Sequence, residues 1–177
     1  KFELKLLTFD RLSAVRRCLQ SLEDAEYEGD TVDLTIFVDH FTPRPNITAQ
    51  EHNSLLKLNR DVLKFVEGFK WSHGRKQIHY RQFNAHLQFQ WIESFYPLDD
   101  HTYAFIVEDD IAVSPYYYKY LKHLITKYRY SRPVDKHIYG ISLQKQRFVP
   151  GLNSKVKVAH VSNGNQPFLY RLVGTWG

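Results

Sequence analysis

The chain has 177 residues, 43% of them hydrophobic and 24% charged, which is the size and composition of one folded α/β domain and not of a disordered segment. Its net charge of +5 favours anionic ligands, but no long run of Lys or Arg indicates a nucleic-acid-binding surface. The single cysteine, Cys18, excludes an internal disulfide and a cysteine-based zinc site, and no apolar stretch is long enough to predict a membrane span.

The first half of the chain predicts two strands and two helices. A strand over Phe2–Phe9 is followed by a helix whose apolar residues recur three and four positions apart, and a second strand covers Val32–Val38. The sequence from Thr48 to Glu51 has the form of a capping box and so predicts the start of a second helix, which we expect to end at Gly68.

The middle of the chain predicts a third helix. Phe69–Trp71 suggests a short strand, and the polar residues 72–76 suggest a loop. The third helix is expected from Tyr80 to Phe95, and four apolar residues at four-residue spacing form its expected buried face: Phe83, Leu87, Trp91 and Phe95.

The remaining elements complete an alternating pattern. An apolar strand begins at Tyr103, Ser114 and Pro115 predict the cap and first residue of a helix that reaches about Tyr130, and Ile138–Leu143 predicts a further strand. Strands that alternate with helices predict an α/β fold with a mostly parallel sheet flanked by helices, in one domain over residues 1–177. Ligands of such sheets bind beyond the carboxyl ends of the strands.

Three consecutive carboxylates, Glu108, Asp109 and Asp110, follow the apolar strand at its carboxyl end. Mg²⁺ and Mn²⁺ bind oxygen ligands and often take only one or two carboxylates, with substrate phosphates completing the shell. Asp110 is therefore the candidate metal ligand, and Glu108 and Asp109 could accept hydrogen bonds from ribose or sugar hydroxyls. A solvated acidic turn is the alternative, as is a metal-dependent phosphohydrolase, which would need a second set of ligands.

Three other residues are candidates for ligand binding at the same edge of the sheet. Arg11 follows the first strand, where a guanidinium can pair with phosphate oxygens, although a surface arginine at a helix start is also ordinary. Asp39 ends the second strand and could accept from a base or ribose, or cap a loop. His86, in the third helix, is expected to be half-buried and could contact a base edge, or be a core histidine.

The chain resembles a known family at two specific motifs. Thr8–Leu19 (TFDRLSAVRRCL) is similar to the opening strand and helix of the N-acetylglucosaminyltransferase I family, whose members have a Cys-Asp-Arg-Ser-Thr-Val-Arg-Arg-Cys-Leu run. Val107–Tyr120 (VEDDIAVSPYYYKY) is similar to the family's Glu-Asp-Asp motif and the aromatic helix after it. Leu169–Arg171 and Gly174–Gly177 are a looser match.

The resemblance implies a GT-A fold and an inverting glycosyltransferase that uses Mn²⁺ (or Mg²⁺) and transfers N-acetylglucosamine from UDP-N-acetylglucosamine to a glycan or glycoprotein acceptor. It implies that Asp110 binds the metal, that Glu108 and Asp109 lie near the ribose and sugar, and that Arg11 contacts the diphosphate. Asp39 and His86 would contact the uracil. The family also implies the lumenal side of the Golgi and a membrane anchor outside these residues.

The chain departs from the family in two places. The family's Asn-Asp segment after the fifth strand is replaced by Ser142–Lys145. The family's general base lies downstream of the metal motif, whereas Asp135 is the only carboxylate after Asp110 here, so we expect the base beyond residue 177 and the chain to be a fragment. Another GT-A donor and a non-catalytic nucleotide-sugar-binding domain remain alternatives.

Overall fold

The computed structural model describes residues 1–130 and 140–143. The elements follow the chain as β1 (Phe2–Thr8), α1 (Leu12–Glu23), β2 (Asp33–Val38), α2 (Ala49–Gly68), β3 (Lys76–Tyr80), α3 (His86–Ser94), β4 (Tyr103–Glu108) and α4 (Tyr117–Ile125), with a π-helical turn at Thr126–Tyr130. No helix in this part of the chain is long and apolar enough to cross a membrane.

The four strands form one parallel sheet in the order β3-β2-β1-β4. The predicted parallel sheet flanked by helices is therefore confirmed. The chain moves outward from β1 to β2 and β3, and then returns to add β4 on the other side of β1. The strand order thus reverses between β1 and β4, and at such a switch point the loops diverge and leave a crevice at the carboxyl ends.

One face of the sheet carries the main hydrophobic core. Side chains from β1, β2 and β4 meet those from α1 and α2, and all of the following are at most 1% exposed: Leu4, Leu6, Leu34, Ile36, Val107, Val15, Cys18, Leu19, Leu22, Val62 and Val66. Cys18 is a buried free thiol in this core, and α4 adds Tyr117, Tyr118 and Leu121 to the same cluster. The capping box at Thr48 is also confirmed, because Thr48 Oγ1 accepts from the Glu51 N–H at 3.2 Å.

The other face carries α3 over a cleft of about 560 Å³ between that helix and β2 and β3. The predicted helix from Tyr80 is wrong at its start, because residues 76–80 form β3 and α3 begins only at His86. Phe69–Trp71 is not a strand either. Gly74 explains the shift, since a Cβ there would lie 2.3 Å from the Val32 carbonyl oxygen, and its absence lets the loop approach β2 and begin the pairing.

The predicted buried face of α3 is wrong. Phe83 is 71% exposed, Leu87 37% and Trp91 39%, whereas Gln90 and Ser94 are buried. Four-residue spacing gave the correct type of element but not the side of the helix that meets the sheet.

Two predictions near the carboxyl end of the described region also need correction. Helix α4 begins at Tyr117 and not at Pro115, because the Ser114 hydroxyl accepts the Tyr116 N–H at 3.3 Å within a turn. Of the strand predicted at Ile138–Leu143, residues 138–139 lie outside the described residues and Gly140–Leu143 are not strand. Asp135 and the Leu169–Arg171 and Gly174–Gly177 segments lie outside them too.

Candidate functional site

The candidate site lies at the carboxyl ends of β1 and β4, at the switch point of the sheet. The Asp109 N–H donates to the Leu7 carbonyl at 3.1 Å, so the strand pairing continues into the acidic motif. Asp109 is 1% exposed and Thr8 3% exposed, and Thr8 Oγ1 donates to Asp109 Oδ2 at 2.6 Å. A carboxylate is therefore held below the surface at the switch point of the sheet.

Arg11 joins two of the three acids. Its Nη2 lies 2.5 Å from Asp109 Oδ1 and its Nη1 lies 3.2 Å from Asp110 Oδ2. The guanidinium remains half exposed, with 52% of its side-chain surface accessible, so a ligand at this edge of the sheet can reach it. The structure thus places Arg11 beside Asp109 and Asp110, whereas the sequence predicted only that it lies at the same edge of the sheet; its contact with a diphosphate stays a prediction.

The electrostatics of this group follow from burial and charge. Burial raises the pKa of Asp109, and this effect outweighs the opposing hydrogen bond from Thr8 and the charge of Arg11. Burial lowers the pKa of Arg11, but the charge of Asp109, together with Asp110, more than offsets it and leaves the pKa raised. Arg11 therefore stays charged, and it neutralises part of the acidic cluster.

The three carboxylates have different surroundings. Asp109 is buried and bound on both oxygens, whereas the Asp110 side chain is 49% exposed and contacts only Arg11 among the described residues. Glu108 is half-buried, and its Oε1 accepts from the Trp91 indole N–H at 3.0 Å. Asp110 is the most exposed of the three, and both Asp110 and Glu108 keep one oxygen without a partner in the described part of the chain.

This donor set fits a hard divalent cation held by one carboxylate and completed by ligand oxygens. No group of three or more His, Cys, Asp or Glu side chains that could hold a metal occurs among residues 1–130 and 140–143. A cation at Asp110 would therefore need phosphate oxygens for most of its shell.

Asp39 is buried and already engaged. It is 5% exposed, and its Oδ1 accepts from the N–H groups of His40 at 2.9 Å and Ala85 at 2.8 Å. Asp39 thus ties the end of β2 to the start of α3. Its other oxygen, Oδ2, has no protein partner in the described part of the chain, so contact with a base through that atom stays a prediction.

His86 lies at the same corner, but the prediction that it is half-buried is wrong. It is exposed, its φ is +61°, and its N–H donates to Asn84 Oδ1 at 2.7 Å. The sequence prediction began the third helix too early, and for that reason it placed His86 near the sheet. Since Ala85 is bound to Asp39, His86 and Asp39 flank the same edge, and a contact of His86 with uracil remains a prediction.

Asn59 is a site-supporting residue that the sequence analysis missed. It is 1% exposed in α2, and its Nδ2 donates to the carbonyls of Asp39 at 2.7 Å and Phe9 at 3.3 Å, while its Oδ1 accepts from the Tyr80 hydroxyl at 2.9 Å. It therefore joins the carboxyl ends of three strands. A signal was present: Asn59 is three residues before Val62, on the predicted apolar face, where an amide needs partners.

Comparisons with known proteins give one family and a set of distant structures. The structure of S. aureus TarS 1–349 has a TM-score of 0.45 and 11% identity, over 73% of this chain and 33% of that chain. The same protein in complex with UDP-GlcNAc has a TM-score of 0.45 and 11% identity, over 73% of this chain and 32% of that chain. Its complex with UDP has a TM-score of 0.43 and 12% identity, over 73% of this chain and 33% of that chain. The chain thus spans about a third of these TarS chains.

No curated protein sequence matches the chain. The comparisons do not show the N-acetylglucosaminyltransferase I family itself, so that resemblance stays a prediction. A family model described as the SPBC1E8.03c C-terminal domain matches residues 12–148, which is most of the chain and includes the acidic motif. The chain belongs to the SPBC1E8.03c C-terminal domain family.

Proposed function

We propose that this domain binds a UDP-sugar with a divalent cation at the carboxyl ends of β1 and β4, as the donor domain of an inverting GT-A glycosyltransferase. The observation that carries the proposal is an exposed carboxylate, Asp110, beside a guanidinium, Arg11, above the buried Asp109 at the switch point of a parallel sheet. The negative charge of a diphosphate would pair with Arg11, and the positive charge of its cation would pair with Asp110.

The protein residues have separable roles in this proposal. Asp109, fixed by Thr8 and closed to solvent, orients Arg11. Arg11 would turn its exposed N–H groups to the diphosphate and favour departure of the nucleoside diphosphate by pairing with its charge. Asp110 would hold Mn²⁺ or Mg²⁺, which when bound neutralises charge on the leaving diphosphate.

The chemistry at the sugar follows from inversion. An acceptor hydroxyl attacks the anomeric carbon from the side opposite the diphosphate, and a carboxylate takes its proton. We propose that this base lies in protein beyond residue 177. The donor sugar N-acetylglucosamine, the glycan or glycoprotein acceptor and a Golgi location are proposals for the whole protein that rest on the resemblance described above.

Calorimetric titration with UDP, with and without Mn²⁺, tests the proposal. We expect UDP to bind only with the cation, and Asp110→Asn to abolish this binding. Asp100→Asn is a matched control, because Asp100 is an exposed acid that precedes the opposite end of β4. Equal UDP affinity with and without Mn²⁺, or an unaffected Asp110→Asn variant, would refute the proposal.

A panel of nucleotides tests the choice of donor. If UDP-sugars raise the melting temperature in the presence of Mn²⁺ and GDP- or CMP-sugars do not, uracil recognition near Asp39 and His86 is supported. Stabilisation by GDP- or CMP-sugars alone would assign the domain to another GT-A donor and make those two contacts wrong. Slow hydrolysis of the bound UDP-sugar would separate an enzyme from a binding module.

A further inference from the structure

One side chain of helix α3, that of Trp91, contacts the acidic motif. The Trp91 indole N–H donates to Glu108 Oε1 at 3.0 Å, with the side chain of Trp91 only partly covered at 39% exposure. Trp91 belongs to the face that the sequence predicted to be buried, so its role is not the one that its spacing suggested. Instead, its indole N–H donates a hydrogen bond to the Glu108 carboxylate at the end of β4.

Polar contacts fix α3 at both ends. At the start, Asp39 Oδ1 accepts the Ala85 N–H at 2.8 Å, and the left-handed backbone of His86, with φ +61°, sets the entry into the helix. Near the other end, Arg81 Nη2 lies 2.7 Å from Glu93 Oε2. A strained backbone persists only where the surroundings determine it, so these contacts make α3 a defined platform for Trp91.

The contact leaves one oxygen of Glu108 available. Oε1 is taken by Trp91, whereas Oε2 has no hydrogen-bond partner within residues 1–130 and 140–143. A single N–H donor on one oxygen restricts rotation of a carboxylate and so directs the other oxygen. Hydrogen bonds that orient a binding group in this way are the usual means of holding it in a productive geometry.

We infer that Trp91 is a positioning residue, which holds the Glu108 carboxylate so that Oε2 accepts a hydroxyl group of the bound nucleotide-sugar. This inference rests on the proposed function. Glu108 makes the contact with the ligand, and Trp91 acts only through Glu108. The ligand hydroxyl belongs either to the ribose or to the sugar, and the choice of titrants separates the two.

The test compares Trp91→Phe with the wild-type domain by calorimetry in the presence of Mn²⁺. Phenylalanine keeps an aromatic ring on α3 and removes the N–H. The titrants are UDP, UDP-N-acetylglucosamine and 2′,3′-dideoxy-UDP, which lacks both ribose hydroxyls. Phe89→Leu is the control, because Phe89 is an exposed aromatic residue on the same helix, 56% accessible.

A selective loss is expected. If Oε2 accepts a ribose hydroxyl, Trp91→Phe binds UDP and the UDP-sugar roughly three- to tenfold more weakly, as for a weakened hydrogen bond to a charged group, and binds the dideoxy nucleotide unchanged. If it accepts a sugar hydroxyl, only the UDP-sugar loses affinity. A uniform loss for all three ligands would show a general disturbance of α3, and no loss would show that the contact does nothing, so either result overturns the inference.

A second measurement needs no ligand. In the ¹⁵N-labelled domain, Glu108→Gln removes the charge of the acceptor and should move the indole N–H resonance of Trp91, while the resonance of Trp71 stays in place. An unmoved Trp91 resonance overturns the inference and leaves the proposed function intact if wild-type still binds Mn²⁺ and UDP. A wild-type domain that binds none of the three ligands overturns the proposed function, and the inference with it.

Discussion

Replacing Asn59 by leucine should weaken the fold at the point where it supports the site. The change removes both donor bonds of Nδ2, to the carbonyls of Phe9 and Asp39, and the acceptor of the Tyr80 hydroxyl. Leucine has the same number and branching of heavy atoms, so the change leaves no cavity and the main effect is the loss of the hydrogen bonds. Two carbonyl groups beside a residue that is 1% exposed would lose a protein partner.

The magnitude follows from these three bonds. A neutral hydrogen bond contributes about 1 kcal/mol, and a buried group left without a partner costs about 1–3 kcal/mol. The 3.3 Å bond to Phe9 is long, and Tyr80 is 40% exposed, so its hydroxyl can turn to water. The Asp39 carbonyl therefore dominates, and we expect a loss of about 2–3 kcal/mol in the free energy of unfolding, or roughly 5–10 °C in Tm.

Urea unfolding followed by circular dichroism measures this loss. Tyr80→Phe removes only the partly exposed third bond and should cost less than about 1 kcal/mol. If Asn59→Leu unfolds within about 0.5 kcal/mol of wild-type, the ordinary range for surface substitutions, the hydrogen bonds of Asn59 do not hold the three strand ends together and the reasoning fails.

Two further predictions concern the margin of the sheet near β3. Lys76 Nζ donates to three carbonyl oxygens at the end of α2, so Lys76→Met should cost about 1–2 kcal/mol in urea unfolding, and an unchanged midpoint would contradict this cap. The hydrogen bond from Arg75 holds the pKa of Asp33 at about 2, below its ordinary value of 3.8. Because the folded state favours the ionised form of Asp33, the stability that the ion pair contributes is complete above pH 3.8 and is lost as the pH falls through about 2. Arg75→Gln should therefore be less stable than wild-type at neutral pH, and the difference in stability between the two should close between pH 3.8 and about 2. A difference that stays constant there would exclude this ion pair as its source.

The sequence predicted the elements whose formation depends on local pattern. Strand β1, helix α1 and the capping box at Thr48 follow from periodicity and capping chemistry, which act over a few residues. The acidic motif was also predictable, since an apolar run that ends in three carboxylates marks a strand end. The placement of Arg11 at the same edge of the sheet as the acids followed once β1 and β4 were assumed to be parallel, whereas its ion pair with Asp109 was not predicted.

The features that the sequence did not predict depend on contacts between distant segments. The position of β3 depends on how closely Gly74 approaches Val32, which no pattern within residues 69–80 encodes. The orientation of α3 depends on Asp39 and Glu108, both outside the helix, and these override its apolar spacing. The role of Asn59 could not be predicted without knowing that the carbonyls of Phe9 and Asp39 lie within hydrogen-bond distance of its side chain.

The pairing of β1 with β4 joins Phe2 to Tyr103 and Leu7 to Glu108, about a hundred residues apart along the chain. Such distant contacts close late in folding, because the entropy of a long loop must be overcome before they stabilise anything. Arg11 therefore meets the acids only after most of the domain has been synthesised and its central strands have aligned. A ligand that binds there would draw the folding equilibrium towards the state in which β4 is paired with β1, and its occupancy would report that this pairing has formed.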